Sequence, residues 1–221
     1  SQAENAPNPA KLISVLRRWN AFDPEIRIPE SEIENLGDGV IVYIAGCLTK
    51  PGQLPNSGYP IMGEIACGQG DLRGVTILEA ACGFGELADH LAQRGAVVVG
   101  VDVDQRMISA AKQAFGNNPN LNFIHGDSTD LREVIGSRTF DLGVCQDSTH
   151  HLRDGNRLQE FFRSLTACCD TVVVKDFDRS QAKTKNTFWR LLFTNPSTVA
   201  LLADSLEAAF TEDEVREVTD G

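Results

Sequence analysis

The run ILEAACGFGELADHL, from Ile77 to Leu91, sets a β-rich apolar segment directly before a loop of small residues and then a helical pattern. Small residues let backbone amides come close to a ligand, and a helix start offers unpaired N–H groups and the positive end of its dipole to an anionic group. Glu79 stands near the end of the apolar segment, and Ala81, Gly83 and Gly85 punctuate the loop. Further polar groups recur where later apolar runs end: Asp102 in VVVGVDVDQRM, Asp127 in LNFIHGDSTDL, and Gln146 and Asp147 in FDLGVCQDSTHHL. The Asp102 carboxylate can accept two hydrogen bonds from a ribose diol. Gln146 falls at a strand's carboxyl edge, where open α/β sheets gather ligands. His150, His151 and Asp147 are the groups that could act as a general base, the histidines because they titrate near neutral pH. Each of these positions also has a plainer reading. The His pair could pack and cap the start of the next helix, Asp127 could be a turn residue after Gly126, and Asp104 reads as a helix N-cap.

These groups need elements to position them, and from Val75 onward the sequence alternates apolar β-rich runs with helical patterns. That alternation implies an α/β domain with a mostly parallel sheet and crossover helices. The expected strands are Val75 to Ala80, Ala96 to Val101, Leu121 to His125, Phe140 to Cys145 and Thr171 to Lys175. Their nearly continuous apolar character suits strands buried on both faces. Helices are expected at Glu86 to Gln93, Gln105 to Phe115, Thr129 to Ile135 and Leu152 to Ala167, the last with a core stripe of Leu158, Phe161, Phe162 and Leu165. Residues 1–74 read as an N-terminal arm or cap: a helix at Ala10 to Trp19, a strand or buried segment GVIVYI at Gly39 to Ile44, and a helix at Ser57 to Ala66. Residues 75–221 form the main domain, with a helical stretch from Lys183 to Ala209 and a capping box at Thr211 to Glu214 that opens a last helix.

The chain has 221 residues, 42% of them hydrophobic, enough for a sizeable core. A formal net charge of −11 works against attraction to a phosphate backbone, so nucleic acid is not the expected partner. The six cysteines form no C-x-x-C pair and the Cys and His residues have no metal-ligand spacing, so reduced thiols and no metal are expected. The N-terminal residues lack the plan of a signal peptide and no apolar run is long enough for a membrane span, which implies a soluble cytoplasmic protein.

A dinucleotide fingerprint at this loop would need glycines at 81, 83 and 86, where the sequence has Ala81, Gly83 and Glu86. A carboxylate at 86 conflicts with a pyrophosphate, so an NAD-dependent oxidoreductase is disfavoured. The pattern Glu79, Ala81, Gly83, Gly85 instead resembles the class I, Rossmann-like S-adenosylmethionine-dependent methyltransferase motif, acidic-x-Gly-x-Gly-x-Gly, with Ala81 in place of one glycine. The resemblance runs from Val75 to Lys175 and implies a three-layer fold with helices on both faces of the sheet. It implies that Glu79 helps hold the methionine ammonium, that the glycine turn passes under the cofactor, and that Asp102 binds the ribose. By the same resemblance Val103 and Met107 pack around the adenine, Asp127 accepts from its amino group, and Ser128 offers its backbone N–H to a ring nitrogen; Gln146, at the strand's carboxyl edge, is expected to face the methionine part with its backbone carbonyl or its side chain. The implied activity is in-line methyl transfer to a small-molecule acceptor, with S-adenosylhomocysteine as product; a cofactor-binding scaffold without turnover is the rival reading. The acceptor pocket is expected over the strand tips, roofed by Tyr43, Tyr59, Phe188 and Trp189. The segment 204–215 resembles the tail of small-molecule methyltransferases, where a final antiparallel strand pair follows. Either the chain as written stops short of that pair, or the sheet is completed by GVIVYI or by a second subunit in a homodimer.

Overall fold

The apolar runs become strands because both of their faces are covered. In the structure, a computed structural model that describes residues 40–45, 72–181 and 203–219, neighbouring residues Ile77 and Leu78 point to opposite sides of one strand and both are fully buried. The elements in chain order are β1 (Val40–Ala45), β2 (Thr76–Ala80), α1 (Glu86–Gln93), β3 (Val97–Asp102), α2 (Gln105–Phe115), β4 (Leu121–His125), α3 (Leu131–Ile135), β5 (Phe140–Gln146), α4 (Gly155–Thr166), β6 (Cys169–Asp176) and α5 (Glu212–Thr219). Residues 203–208 are helical ahead of α5.

The strands form one parallel six-stranded sheet in the order β1-β6-β5-β2-β3-β4. The chain moves outward from β2 to β3 and β4, then returns to lay β5 on the other side of β2. This reversal between β2 and β5 is the switch point at which open α/β sheets leave a crevice at their carboxyl ends. Leu78, Ala80, Val99, Val101, Val172 and Val174 on one face pack with the apolar stripe of α4 and with Val215 of α5. On the other face Leu87 and Leu91 of α1 and Ile108 of α2 are buried.

The segment expected as GVIVYI contributes an edge strand: β1 runs parallel to β6, with Val40 opposite Thr171 and Ala45 opposite Asp176. Two expected helices begin later than their apolar patterns. Before α3 the chain makes a 3₁₀ turn at Ser128–Asp130, since Asp127 and Asp130 each accept a hydrogen bond from a backbone N–H two or three residues on. Before α4 it makes a 3₁₀ turn at Thr149–His151, breaks at Arg153 with φ 59°, and restarts with Asp154 as N-cap, accepting from the Arg157 N–H at 2.8 Å. Asp104 caps α2 through the Arg106 N–H, and the capping box forms, with Thr211 N–H donating to Glu214 at 2.8 Å. The expected helices Ala10 to Trp19 and Ser57 to Ala66, most of Lys183 to Ala209, and Tyr59, Phe188 and Trp189 lie outside the described residues; for Tyr43 only the backbone is described.

Candidate functional site

The crevice begins with the loop after β2. Ala81, Gly83 and Gly85 all take positive φ, at 55°, 51° and 80°, which explains the run of small residues. For a side-chain-bearing residue this conformation costs about 1 kcal/mol or more. Three non-glycine residues among those described accept it, Ala81, Asp147 and Arg153, and all three line the crevice. Asp102, at the last position of β3, holds the loop in place: Gly83 N–H donates to its Oδ2 and Asp104 N–H to its Oδ1, each at 2.8 Å.

Gly85 departs from its expected role, because it lines neither cavity of the crevice. A Cβ there would lie 2.6 Å from the Phe123 ring, so its glycine is needed for packing of the loop on β4. Gly83, by contrast, has open space where a Cβ would go. Gly85→Ala is therefore expected to destabilise the fold by about 2–4 kcal/mol, strain plus overpacking, and Gly83→Ala by about 1 kcal/mol of strain alone. Urea unfolding of the two variants measures the difference, and equal losses would contradict it.

Two adjoining cavities occupy the strand tips, sharing Ala81, Gly83 and Ser148 as walls. The larger, of about 760 Å³, brings together the expected residues Asp102, Val103, Met107, Asp127 and Ser128 with His151. The smaller, of about 290 Å³, is lined by Glu79, Gln146 and Asp147 together with Phe84 and Glu86. Residues separated by most of the domain's length thus divide into the two groups that the sequence reading assigned to adenosine and methionine.

Glu79 is 4% exposed, and its Oε2 has no hydrogen-bond partner among the described residues. Burial pushes its carboxyl up to about 8; the Ala88 N–H works against this and the nearby Asp102 charge adds to it. Gln146 Oε1 is likewise buried without a partner.

Asp127 serves as turn residue and cavity wall at once. Its Oδ1 accepts from Thr129 N–H at 2.9 Å, and its Oδ2 from Arg157 Nη2 at 2.9 Å. Burial raises its pKa, but the hydrogen bonds from Thr129 and Arg157 outweigh this and hold the carboxyl below the usual range. Arg157 escaped the sequence reading, as did Arg153, Leu152 and Phe161 on the same wall. Phe161 was read as core alone, whereas it is both a buried member of the α4 stripe and part of the cavity lining.

The three candidate bases separate. His150 is 3% exposed, lines neither cavity, and is bound through Nδ1 to Asp176 Oδ1 at 2.8 Å. Asp176, fully buried, also accepts from Thr149 Oγ1, the His150 N–H and the Phe177 N–H. Burial opposes its ionisation, but those bonds, led by His150, keep the carboxyl below its ordinary value. His150 is accordingly packed in the interior, its ring held by Asp176, while Ser148 and Asp154 take the N-cap positions on either side of it. Asp147 lines the smaller cavity with its oxygens engaged by Lys175 Nζ and Gln146 Nε2. His151 alone of the three lines the larger cavity, its ring centroid 4.1 Å from that of His150 and the two rings tilted at 46°. Burial, then the neighbouring His150, lower its pKa below that of a free histidine.

Comparison with known proteins agrees with this geometry. Residues 77–170 match the model of a methyltransferase domain. The chain is 34% identical over 88 residues to the magnesium-protoporphyrin O-methyltransferase of Synechocystis sp., covering 37% of this chain and 35% of that one. It is 41% identical over 61 residues to ribosomal RNA small subunit methyltransferase A of Geobacter metallireducens, covering 27% and 22%. The plantazolicin methyltransferase BamL, solved with a desmethyl-plantazolicin analogue and S-adenosylhomocysteine, superposes with a TM-score of 0.55 at 19% identity, over 65% of this chain and 52% of that one.

Residues 77–170 thus match a methyltransferase domain, on a sheet of Rossmann-like fold. The chain's matches span about a third or less of the length of these curated relatives, whose named acceptors are a porphyrin and an RNA. S-adenosylmethionine is the cofactor of the family. The crevice of this methyltransferase domain fits it. The partnerless Glu79 oxygen suits a bound ammonium, and each Asp102 oxygen keeps a lone-pair site beyond its backbone N–H for a ribose hydroxyl. Among the described residues, no helix is long and apolar enough to cross a membrane.

Proposed function

We propose that this chain binds S-adenosylmethionine across the two cavities and transfers its methyl group to a small-molecule acceptor. The observation that carries the reading is the pairing, in one crevice, of a backbone-anchored carboxylate at Asp102 with a buried carboxyl at Glu79 whose Oε2 has no partner among the described residues. Asp102 would hold the ribose, Asp127 and Ser128 the adenine edge, Val103 and Met107 its face, and Glu79 with Gln146 the methionine ammonium. When bound, the cofactor supplies a methyl group already activated by a sulfonium, so the protein has no need of a covalent nucleophile. What remains for the chain is to align the partners and exclude water.

If the acceptor is a hydroxyl or a protonated amine, His151 would take its proton: it faces the cavity, and its lowered pKa leaves the imidazole neutral and free to accept. His150 and Asp147 are the lesser candidates, since Nδ1 of the first and both oxygens of the second are already engaged. The net charge of −11 favours a small molecule over a nucleic acid.

Calorimetric titration with S-adenosylmethionine and S-adenosylhomocysteine, with NAD as control, tests the cofactor half of the proposal. Micromolar affinity for the first two and none for NAD is expected. Methyl-labelled cofactor offered with a small-molecule acceptor panel tests the transfer half. Tight binding with no label moved to any acceptor would favour a scaffold without turnover.

A further inference from the structure

Gln146 ends β5 and pairs in register with Lys175 of β6. The next residue, Asp147, donates its backbone N–H to the Lys175 carbonyl at 2.8 Å and turns into a left-handed conformation, φ 53°. The Lys175 side chain is only 5% exposed; its Nζ bonds Asp147 Oδ1 and lies 5.6 Å from the Phe177 ring centre. The second Asp147 oxygen accepts from Gln146 Nε2 at 3.3 Å. A carboxylate can only accept hydrogen bonds. The Gln146 amide must therefore turn its NH₂ group toward Asp147, and its oxygen is left on the other side. Whether an amide oxygen or nitrogen faces a given direction is decided by such a network. Here the outcome is that Gln146 Oε1, like Glu79 Oε2, is buried without a partner among the described residues, and both residues line the smaller cavity.

We propose that Lys175 is a positioning residue: through Asp147 it locks the Gln146 amide so that its oxygen joins Glu79 as a two-oxygen acceptor for the ammonium of the bound amino-acid moiety. The inference rests on the cofactor reading above. Lys175 does not line either cavity, so its influence passes through its neighbours.

The test compares two ligands that share the adenosine and thioether but differ in the amino-acid arm: S-adenosylhomocysteine, which has it, and 5′-methylthioadenosine, which lacks it. Losing one hydrogen bond to a charged group corresponds to a roughly ten- to hundredfold weaker affinity. Lys175→Met is expected to weaken S-adenosylhomocysteine by about that factor and to leave 5′-methylthioadenosine within about twofold. Gln146→Leu should do the same, and the double variant should bind no more weakly than Gln146→Leu alone, because both changes remove one acceptor. Asp147→Asn, which tolerates the left-handed turn and leaves Lys175 in place, frees the amide to flip and should weaken only the longer ligand, so the idea stays testable if Lys175→Met does not fold. Equal weakening of both ligands, no weakening of either, or additive losses in the double variant would overturn the positioning role. If the unmodified protein binds neither ligand, it is the cofactor reading that fails.

Discussion

Asp102→Ala is expected to weaken S-adenosylhomocysteine by roughly two to four orders of magnitude, since two hydrogen bonds to a charged acceptor are worth about 3–6 kcal/mol together. The size of the effect follows from what the carboxylate already does without ligand. It is 8% exposed, and each oxygen is held by one backbone N–H, from Gly83 on one side and Asp104 on the other. The oxygens are thus fixed in orientation before a diol arrives, so little ordering is left to oppose binding. Removing the side chain also frees the two N–H groups and loosens the turn at Gly83. Asp102→Asn separates these effects: its amide keeps the volume but offers only one acceptor oxygen, so either Gly83 or Asp104 N–H loses its partner. Calorimetry should therefore rank affinity as wild type, then Asn, then Ala, with thermal unfolding recorded in parallel to confirm that each variant is folded. Affinity for the alanine variant within about threefold of wild type would remove Asp102 from the site, because even one lost charged hydrogen bond exceeds that.

The parts of this site that were legible in the sequence are those set by local rules. Each of β2 to β5 is a short apolar run with a polar residue at its carboxyl end or within two residues of it, and a parallel sheet buried on both faces places all such ends on one edge. Glu79, Asp102, Asp127 and Gln146 could thus be grouped before any distance was known. Ala81 stands where a glycine is expected because the turn needs φ 55°, and its small Cβ is accommodated at a cost in strain. What could not be read are pairings between groups that neither periodicity nor spacing connects. Arg157 reaches Asp127 from the first turn of α4, and Lys175 reaches Asp147 from the adjacent strand. Both partners are charged residues in segments where the sequence gives equal reason to expect a solvated side chain. The same limit explains Gly85, whose role depends on Phe123 of β4, and His150, whose burial follows from Asp176 at the end of β6.

Glu79 gives the second large effect, and its sign can be worked out in two directions. In the free protein burial raises the carboxyl from 4.5 to about 8, so near neutral pH the folded chain holds a proton that the unfolded chain has released. Its contribution to stability is then full below 4.5 and is lost as pH rises through about 8, with a size on the order of a few kcal/mol. A bound ammonium reverses the preference, since it favours the ionised carboxylate. Ligand binding must therefore expel the proton, and S-adenosylhomocysteine affinity should climb by up to about tenfold per pH unit between pH 6 and 7.5. The melting temperature of the free protein should fall over the same range. Titration at pH 7 in buffers of different ionisation enthalpy should register close to one proton released per ligand. Glu79→Gln keeps an oxygen for the ammonium but has no proton to release, so it should flatten both the affinity and the stability profiles and abolish the buffer dependence. A wild-type affinity independent of pH, with no proton released, would mean that Glu79 does not meet the ammonium and that its buried oxygen is satisfied in some other way.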